Sequence, residues 1–140
     1  MDGDLSPADR IRATYARWQE TRGASAEDYL ALMAPDIEMR SVLGPDVPDT
    51  IAGPAIGLDA ARAYFDALRR DWEMIAFPTE EIVAQGDTVI WIGRCHWRSR
   101  TSLSEVDSPK VDIWHFRDGK AVRVLEMFDS LGFARAIRLV

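Results

Sequence analysis

The chain has 140 residues, 47% hydrophobic and 29% charged, with 17 Lys plus Arg against 23 Asp plus Glu. That length suits one domain, 1–140, around a single core, and a net charge of −6 without a long basic cluster argues against nucleic-acid or anionic-membrane partners. The lone Cys95 excludes an intrachain disulfide framework and a thiolate-rich zinc site, and no apolar run approaches the roughly 20 residues of a membrane helix. The acidic start Met1-Asp2-Gly3-Asp4 is unlike a signal peptide, so a cytoplasmic protein is expected.

The first third reads as helix, over about 6–34. Ser6-Pro7-Ala8-Asp9 is a helix start, with Ser6 as cap and Pro7 in the first turn. Ile11, Tyr15 and Trp18 then fall on one face. Ser25-Ala26-Glu27-Asp28 repeats the capping pattern before a second short helix with Tyr29, Leu32 and Met33 inward, closed by Pro35. A strand is expected at about 36–42, then an irregular loop between Gly44 and Gly57, which holds Pro45, Pro48, Gly53 and Pro54. The stripe Leu58, Ala61, Phe65, Leu68, Trp72 predicts a helix over 58–72.

From about 75 to 129 the period becomes two. Thr79–Ala84 and Thr88–Ser99 flank Gln85-Gly86-Asp87, and Lys110–Phe116 and Lys120–Phe128 flank Arg117-Asp118-Gly119. Both are hairpin signals, joined through the polar stretch Arg100–Ser108. The tail 130–140 carries a short helix from Leu131. Helices first and antiparallel strands afterwards give an α+β fold. Strand 88–98 is loaded on both faces: Ile90, Ile92, Arg94, His96, Arg98 alternate with Trp91, Gly93, Cys95, Trp97. A sheet with one wet face would alternate cleanly, so helices are expected over one face and a second copy of the chain over the other.

The order of elements, and the segment from Asp112-Ile-Trp-His-Phe to Val-Leu-Glu-Met-Phe-Asp129, resemble the nuclear transport factor 2-like superfamily, within it the SnoaL-like polyketide cyclases and ketosteroid isomerases. The resemblance runs from Ile11 to about Phe133. It implies a cone-shaped, cystatin-like curved sheet, antiparallel or mixed, wrapped around N-terminal helices over an apolar pocket, with dimers through the outer sheet face. Tyr15 matches the ketosteroid isomerase tyrosine that donates to the oxyanion, and Asp112 lies near the buried protonated aspartate. Ser41 occupies the position of the general base and cannot act as one unaided. Glu126 replaces the acid–base aspartate of SnoaL-type cyclases. Arg94-x-His96 followed by Asp112 is a partial match to the Arg-x-Asp set of limonene epoxide hydrolases. Scytalone dehydratases place two histidines in the pocket, whereas here His96 and His115 are aligned to opposite sheet faces.

On that alignment the pocket carries Arg94, His96, Asp112 and Glu126 with Tyr15 opposite, and Trp18, Phe65, Trp114, Val124 and Phe128 as apolar substrate contacts. Asp112 and Glu126 would form an acid–base pair, while Arg94, His96 and Tyr15 orient and stabilise charge. Arg94 with either acid is equally readable as a structural ion pair, and the other strand parity would bring His115, Cys95, Arg123 and Asp129 inward. No His-x-x-x-His spacing or Gly-rich phosphate loop is present, so neither metal nor cofactor is expected. The expected activity is isomerisation, cyclisation or dehydration of a small apolar carbonyl or hydroxyl compound. The alternatives are a non-catalytic binder of a lipid-like or aromatic ligand, and a dimeric interaction module.

Overall fold

The computed structural model describes residues 5–140, so the acidic start noted above lies outside the described residues. Helix α1 spans Pro7–Glu20, opened by the Ser6 hydroxyl accepting from the Asp9 N–H at 3.1 Å. Its buried face is Ile11, Thr14, Tyr15 and Trp18. Helix α2, Ala26–Leu32, lacks the expected side-chain cap, because Ser25 accepts a bond from the Thr21 hydroxyl instead. Pro35 does not close α2. The helix ends at Leu32 and passes directly into strand β1, Met33–Ser41. The pairing of β1 slips between Met33 and Glu38, so proline's missing N–H costs no regular ladder bond.

The 44–57 loop contains a 3-10 turn, Thr50–Ala52, and a two-residue strand β2, Ala55–Ile56, paired with β1. Helix α3 covers Leu58–Asp71; Trp72, expected as its last apolar position, begins strand β3, Trp72–Ala76. Strands β4 (Thr79–Gln85), β5 (Thr88–Ser99), β6 (Glu105–Arg117) and β7 (Lys120–Met127) follow, then helix α4, Ser130–Ala136. The β6–β7 turn has positive φ at both Asp118 (52°) and Gly119 (79°), the backbone that an Asp-Gly hairpin favours. Strand β6 starts five residues before the expected Lys110. Its early inward positions include Ser108 and Lys110, which disguise the alternation.

The strands form one curled mixed sheet in the order β2-β1-β7-β6-β5-β3, with β4 sharing the free edge of β5. Only β1–β7 is parallel. The sheet wraps α1, α2 and α3, giving the α+β cone expected from the sequence. Tyr15 stacks on Trp91 with ring centroids 4.3 Å apart, and Tyr29 lies parallel to both Phe65 and Trp114 at 5.4 and 6.1 Å. These rings fill the space between helices and sheet and form the wall of the interior site.

Candidate active site

Strand register decides which side chains can meet inside the cone, because directly opposed residues share a face. Asp112 opposes Glu126 on one side and Trp91 on the other. Lys110 opposes Gly93, and Ser108 opposes Cys95. The inner face of β5 is therefore Val89, Trp91, Gly93, Cys95 and Trp97. Arg94 and His96 point outward, against the expectation that they face the pocket with Asp112. Arg94 pairs with Asp107 at 3.1 Å and His96 with Glu105 at 2.5 Å, and the Arg94 side chain is 41% exposed. The two polar groups with partners across the outer face leave the interior to aromatic rings, and neither reaches Asp112. His115 opposes Thr88 and so shares the outer face with His96, contrary to the aligned placement on opposite faces. Of the other parity, only Cys95 turns inward. Asp129 caps α4 through the Gly132 N–H at 2.9 Å.

Within the cone lies a cavity of about 70 Å³. Trp18, Phe65, Trp114, Val124 and Phe128 all line it, as do Tyr15, Asp112 and Glu126. Ser41 does not; its hydroxyl accepts from the Leu43 N–H at the end of β1. The sequence reading missed two polar residues of the wall, Lys110 and Tyr64. Lys110, at the expected start of a strand, is 6% exposed. Its spacing of two from Asp112 was the available signal, since i and i+2 share a face of a strand. Tyr64 sits beside Phe65 on α3, next to the apolar stripe but not part of it.

The polar side chains form one continuous network. Lys110 Nζ donates to Asp112 Oδ1 and, at 3.2 Å, to Glu126 Oε1. Tyr15 donates to Asp112 Oδ2 at 2.5 Å and accepts from Trp114 Nε1 at 2.9 Å. Tyr64 donates to Glu126, 2.8 Å from each carboxyl oxygen. Asp112 thus receives a donor at each oxygen. No buried side-chain nitrogen or oxygen among the described residues lacks a partner.

The apolar shell shifts the titration of Glu126 and Lys110. Burial is the main influence on Glu126 and, with Asp112 nearby, raises its pKa above the ordinary glutamate value against the pull of Lys110. Burial works to neutralise Lys110, but the Asp112 and Glu126 carboxyls outweigh it and hold the ammonium charged, above its usual range. Burial also raises Tyr15, Tyr29 and Tyr64, reinforced by the nearby carboxylates, so all three remain donors. The Cys95 thiol is pushed up to about 11 by burial, which makes it an apolar wall rather than a thiolate. Among the described residues no three His, Cys, Asp or Glu side chains gather as metal ligands, and no helix is long and apolar enough to cross a membrane.

A family model described as the SnoaL-like domain matches residues 11–124, which include Tyr15, Tyr64, Lys110 and Asp112. The chain belongs to the SnoaL-like family. No curated protein matches this SnoaL-like chain. Among solved structures, an NTF2-like protein from Burkholderia thailandensis E264 superposes with a TM-score of 0.79 at 23% identity, covering 95% of this chain and 98% of that one. TerC, co-crystallised with polyporic acid, gives 0.78 at 25% identity, with 95% and 99% covered. A protein described as a SnoaL-like polyketide cyclase from Jannaschia sp. CCS1 gives 0.69 at 20% identity, with 96% of each chain covered. The first and third of these likenesses establish the cone fold and nothing further.

Proposed function

We propose that this SnoaL-like protein performs acid–base chemistry with its own side chains on a small, mostly apolar compound bearing a carbonyl or hydroxyl group. The reaction class is isomerisation, cyclisation or dehydration. The observation that carries this reading is Glu126: a carboxyl of raised basicity, on the wall of an aromatic cavity, with Tyr64 spanning its two oxygens and a charged Lys110 beside it. A general base works best when its pKa approaches the working pH, and burial moves Glu126 in that direction. Asp112 anchors the Lys110 ammonium, and Tyr15, itself fixed by Trp114, anchors Asp112. When Glu126 takes a proton from a carbon beside a carbonyl, its attraction for Lys110 falls as negative charge grows on the substrate oxygen. The ammonium then faces a new anion without leaving its place, which is the preorganised stabilisation that lowers such barriers. TerC has been crystallised with polyporic acid, and that lends support to a ligand-holding role for this chain.

The test is proton exchange. A panel of cyclic ketones and diketones is incubated with the protein in heavy water, and deuterium uptake next to the carbonyl is read by NMR. Enzyme-dependent exchange is expected, with Glu126→Gln and Asp112→Asn each slower by about a hundredfold. No exchange on any member, or exchange unaltered in Glu126→Gln, defeats the proposal. The second reading is a binding protein without turnover. It draws on the network being complete by itself, every buried polar side-chain atom already paired. That reading predicts ligand affinity unchanged in Asp112→Asn and no exchange at all.

A further inference from the structure

The interior cavity holds about 70 Å³, whereas an apolar cavity that takes up benzene measures roughly 150 Å³. Admission of even one ring therefore requires part of the wall to move. The elements that form the wall are unequally held. Helix α1 is bonded to β6 through Tyr15 and Asp112, and α3 to β7 through Tyr64 and Glu126, so displacing either breaks the buried network. Helix α4 has no such bond. Among the described residues none of its side chains hydrogen-bonds to the sheet, and it buries only Phe133 and Ala136. Two serines fasten it. Ser102 Oγ donates to the Ala136 carbonyl at 2.6 Å, and Ser108 Oγ accepts at 2.9 Å from the N–H of Asp129, the residue before the helix. A helix of seven residues does not hold its shape unaided, so α4 depends on these ties and on the packing of its two buried side chains.

Phe133 is the one residue that α4 gives to the cavity wall. It stacks on Trp72 with ring centroids 5.5 Å apart and stands edge-on to Phe128. Trp72 also borders a second space, an outer cleft of about 390 Å³ bounded by Asp71, Ser99, Ser102 and, from the end of α4, Ala136. A single turn of α4 thus stands between an interior too small for a ring and a cleft several times its volume.

We infer that α4 is the door of the cavity. It pivots at Asp129, where Ser108 holds the backbone, and is latched at Ala136 by Ser102. Its swing lifts Phe133 off Trp72 and joins the interior to the outer cleft, and a ligand reaches Lys110, Asp112 and Glu126 by that route. The opening breaks one side-chain hydrogen bond and uncovers the contacts of one phenylalanine. That is far less than unfolding the domain breaks, which places it among the low-cost local motions that lids use. The door goes beyond the acid–base reading, because it belongs to the fold whether or not the cavity catalyses.

Cys95 is a built-in reporter, being the single cysteine of the chain and part of the cavity wall. The whole protein is treated with methyl methanethiosulfonate, and the addition is timed by mass spectrometry over a urea series kept below the unfolding transition. Movement of α4 exposes little surface, so the wild-type labelling rate should hardly change with urea, whereas labelling through global unfolding would climb steeply. Ser102→Ala removes the latch, and Asp129→Ala removes the carboxylate that caps the Gly132 N–H; neither residue lines the cavity. Each should speed labelling about fivefold, the usual effect of one hydrogen bond or one cap, with the urea dependence still flat. Ile51→Ala trims the wall residue supplied by the 3-10 turn and should stay close to the wild-type rate. The inference is overturned by labelling that occurs only through global unfolding, or by wild-type rates in both Ser102→Ala and Asp129→Ala. It is overturned equally if Ile51→Ala is the variant that speeds labelling, since the 44–57 loop would then be the door. Deuterium exchange without local labelling defeats this inference alone, whereas local labelling without exchange defeats the catalytic reading alone.

Discussion

Tyr15 and Asp112 are joined side chain to side chain at 2.5 Å although 97 residues separate them along the chain. The bond ties the first helix to the middle of β6, and the same phenol oxygen accepts from Trp114 Nε1 at 2.9 Å. Tyr15→Phe therefore does two things. It strips Asp112 of one donor, and it leaves the buried Trp114 N–H with no acceptor. Unpaired buried polar groups of this kind cost about 1–3 kcal/mol. Urea unfolding should show a loss of that size with the fold otherwise intact. Stability equal to the wild type would mean that neither bond persists in solution.

Lys110→Met tests the charge arrangement of the interior. The methionine fills a similar volume but leaves Asp112 and Glu126 facing each other without a cation. Removing one partner of a buried ionic cluster costs about 3–5 kcal/mol. The loss should be largest near neutral pH and shrink toward acid, as Glu126 takes up a proton and the repulsion disappears. A variant equally destabilised at mildly acidic and neutral pH would show that packing, not charge, accounts for the effect.

Glu126 carries a pH dependence of opposite sense to most surface acids. Burial raises its folded pKa above the unfolded value, so the folded state binds a proton more tightly than the unfolded one does. The favourable contribution is complete below the ordinary glutamate range, about 4.3, and is lost as pH rises through the raised folded value. Glu126→Gln removes that term. The difference in unfolding free energy between wild type and Glu126→Gln should thus move in favour of the glutamine as pH rises from acid to neutral. A difference that is flat with pH, or that runs the other way, would show that Glu126 is not a carboxyl of raised basicity.

Much of the fold was legible because its signals are local. Ser6 and Pro7 mark a helix start, and Asp118-Gly119 supplies the backbone that a two-residue hairpin turn needs. The face of β5 was not legible, because Ile90 and Ile92 look as inward as Trp91 and Cys95, and the decision rests on long-range pairing with β6. Once Trp91 opposes Asp112, Arg94 and His96 are committed to the outside. Lys110 was hidden for a different reason. A lysine at the start of an expected strand reads as solvated, and only the acid partners Asp112 and Glu126 make its burial tolerable. Asp112, Glu126 and Tyr15 are legible only through the resemblance to ketosteroid isomerases and SnoaL-type cyclases, whose site positions they match.

Gly93 shows how tightly the sheet and the site are coupled. A Cβ there would lie 2.2 Å from the Pro78 carbonyl oxygen and 2.5 Å from the Trp91 ring. The ring could shift, but backbone yields little. Trp91 stacks on Tyr15 at 4.3 Å, so any movement is passed to the hydroxyl that holds Asp112. Gly93→Ala should cost about 1–3 kcal/mol or more by overpacking, and should lower deuterium exchange although it removes no polar group. A melting temperature and activity equal to the wild type would show that the Pro78 turn relaxes freely.

The outer sheet face presents an apolar band in register across four strands: Val83, Ile90, Ile113 and Leu125, with Ile92, Val111 and Met127 in the next row. Val83 is 43% exposed and Leu125 36%. Beyond this second row lie the ion pairs Arg94–Asp107, His96–Glu105 and Arg98–Glu73, so acids and bases alternate at that edge of the band. Such a surface suits a second copy of itself, since a two-fold rotation lays apolar row on apolar row. We propose that the protein pairs with itself through this face. Light scattering at micromolar concentration should give twice the chain mass, and Ile113→Lys should halve it, because a lysine at the centre of the band would be buried without a partner. Arg94→Ala and His96→Ala should leave exchange activity unchanged, as their side chains lie on the far side of the sheet from Lys110 and Glu126. A monomeric wild type would remove the pairing, and a loss of activity in Arg94→Ala would mean that the outer face acts on the site.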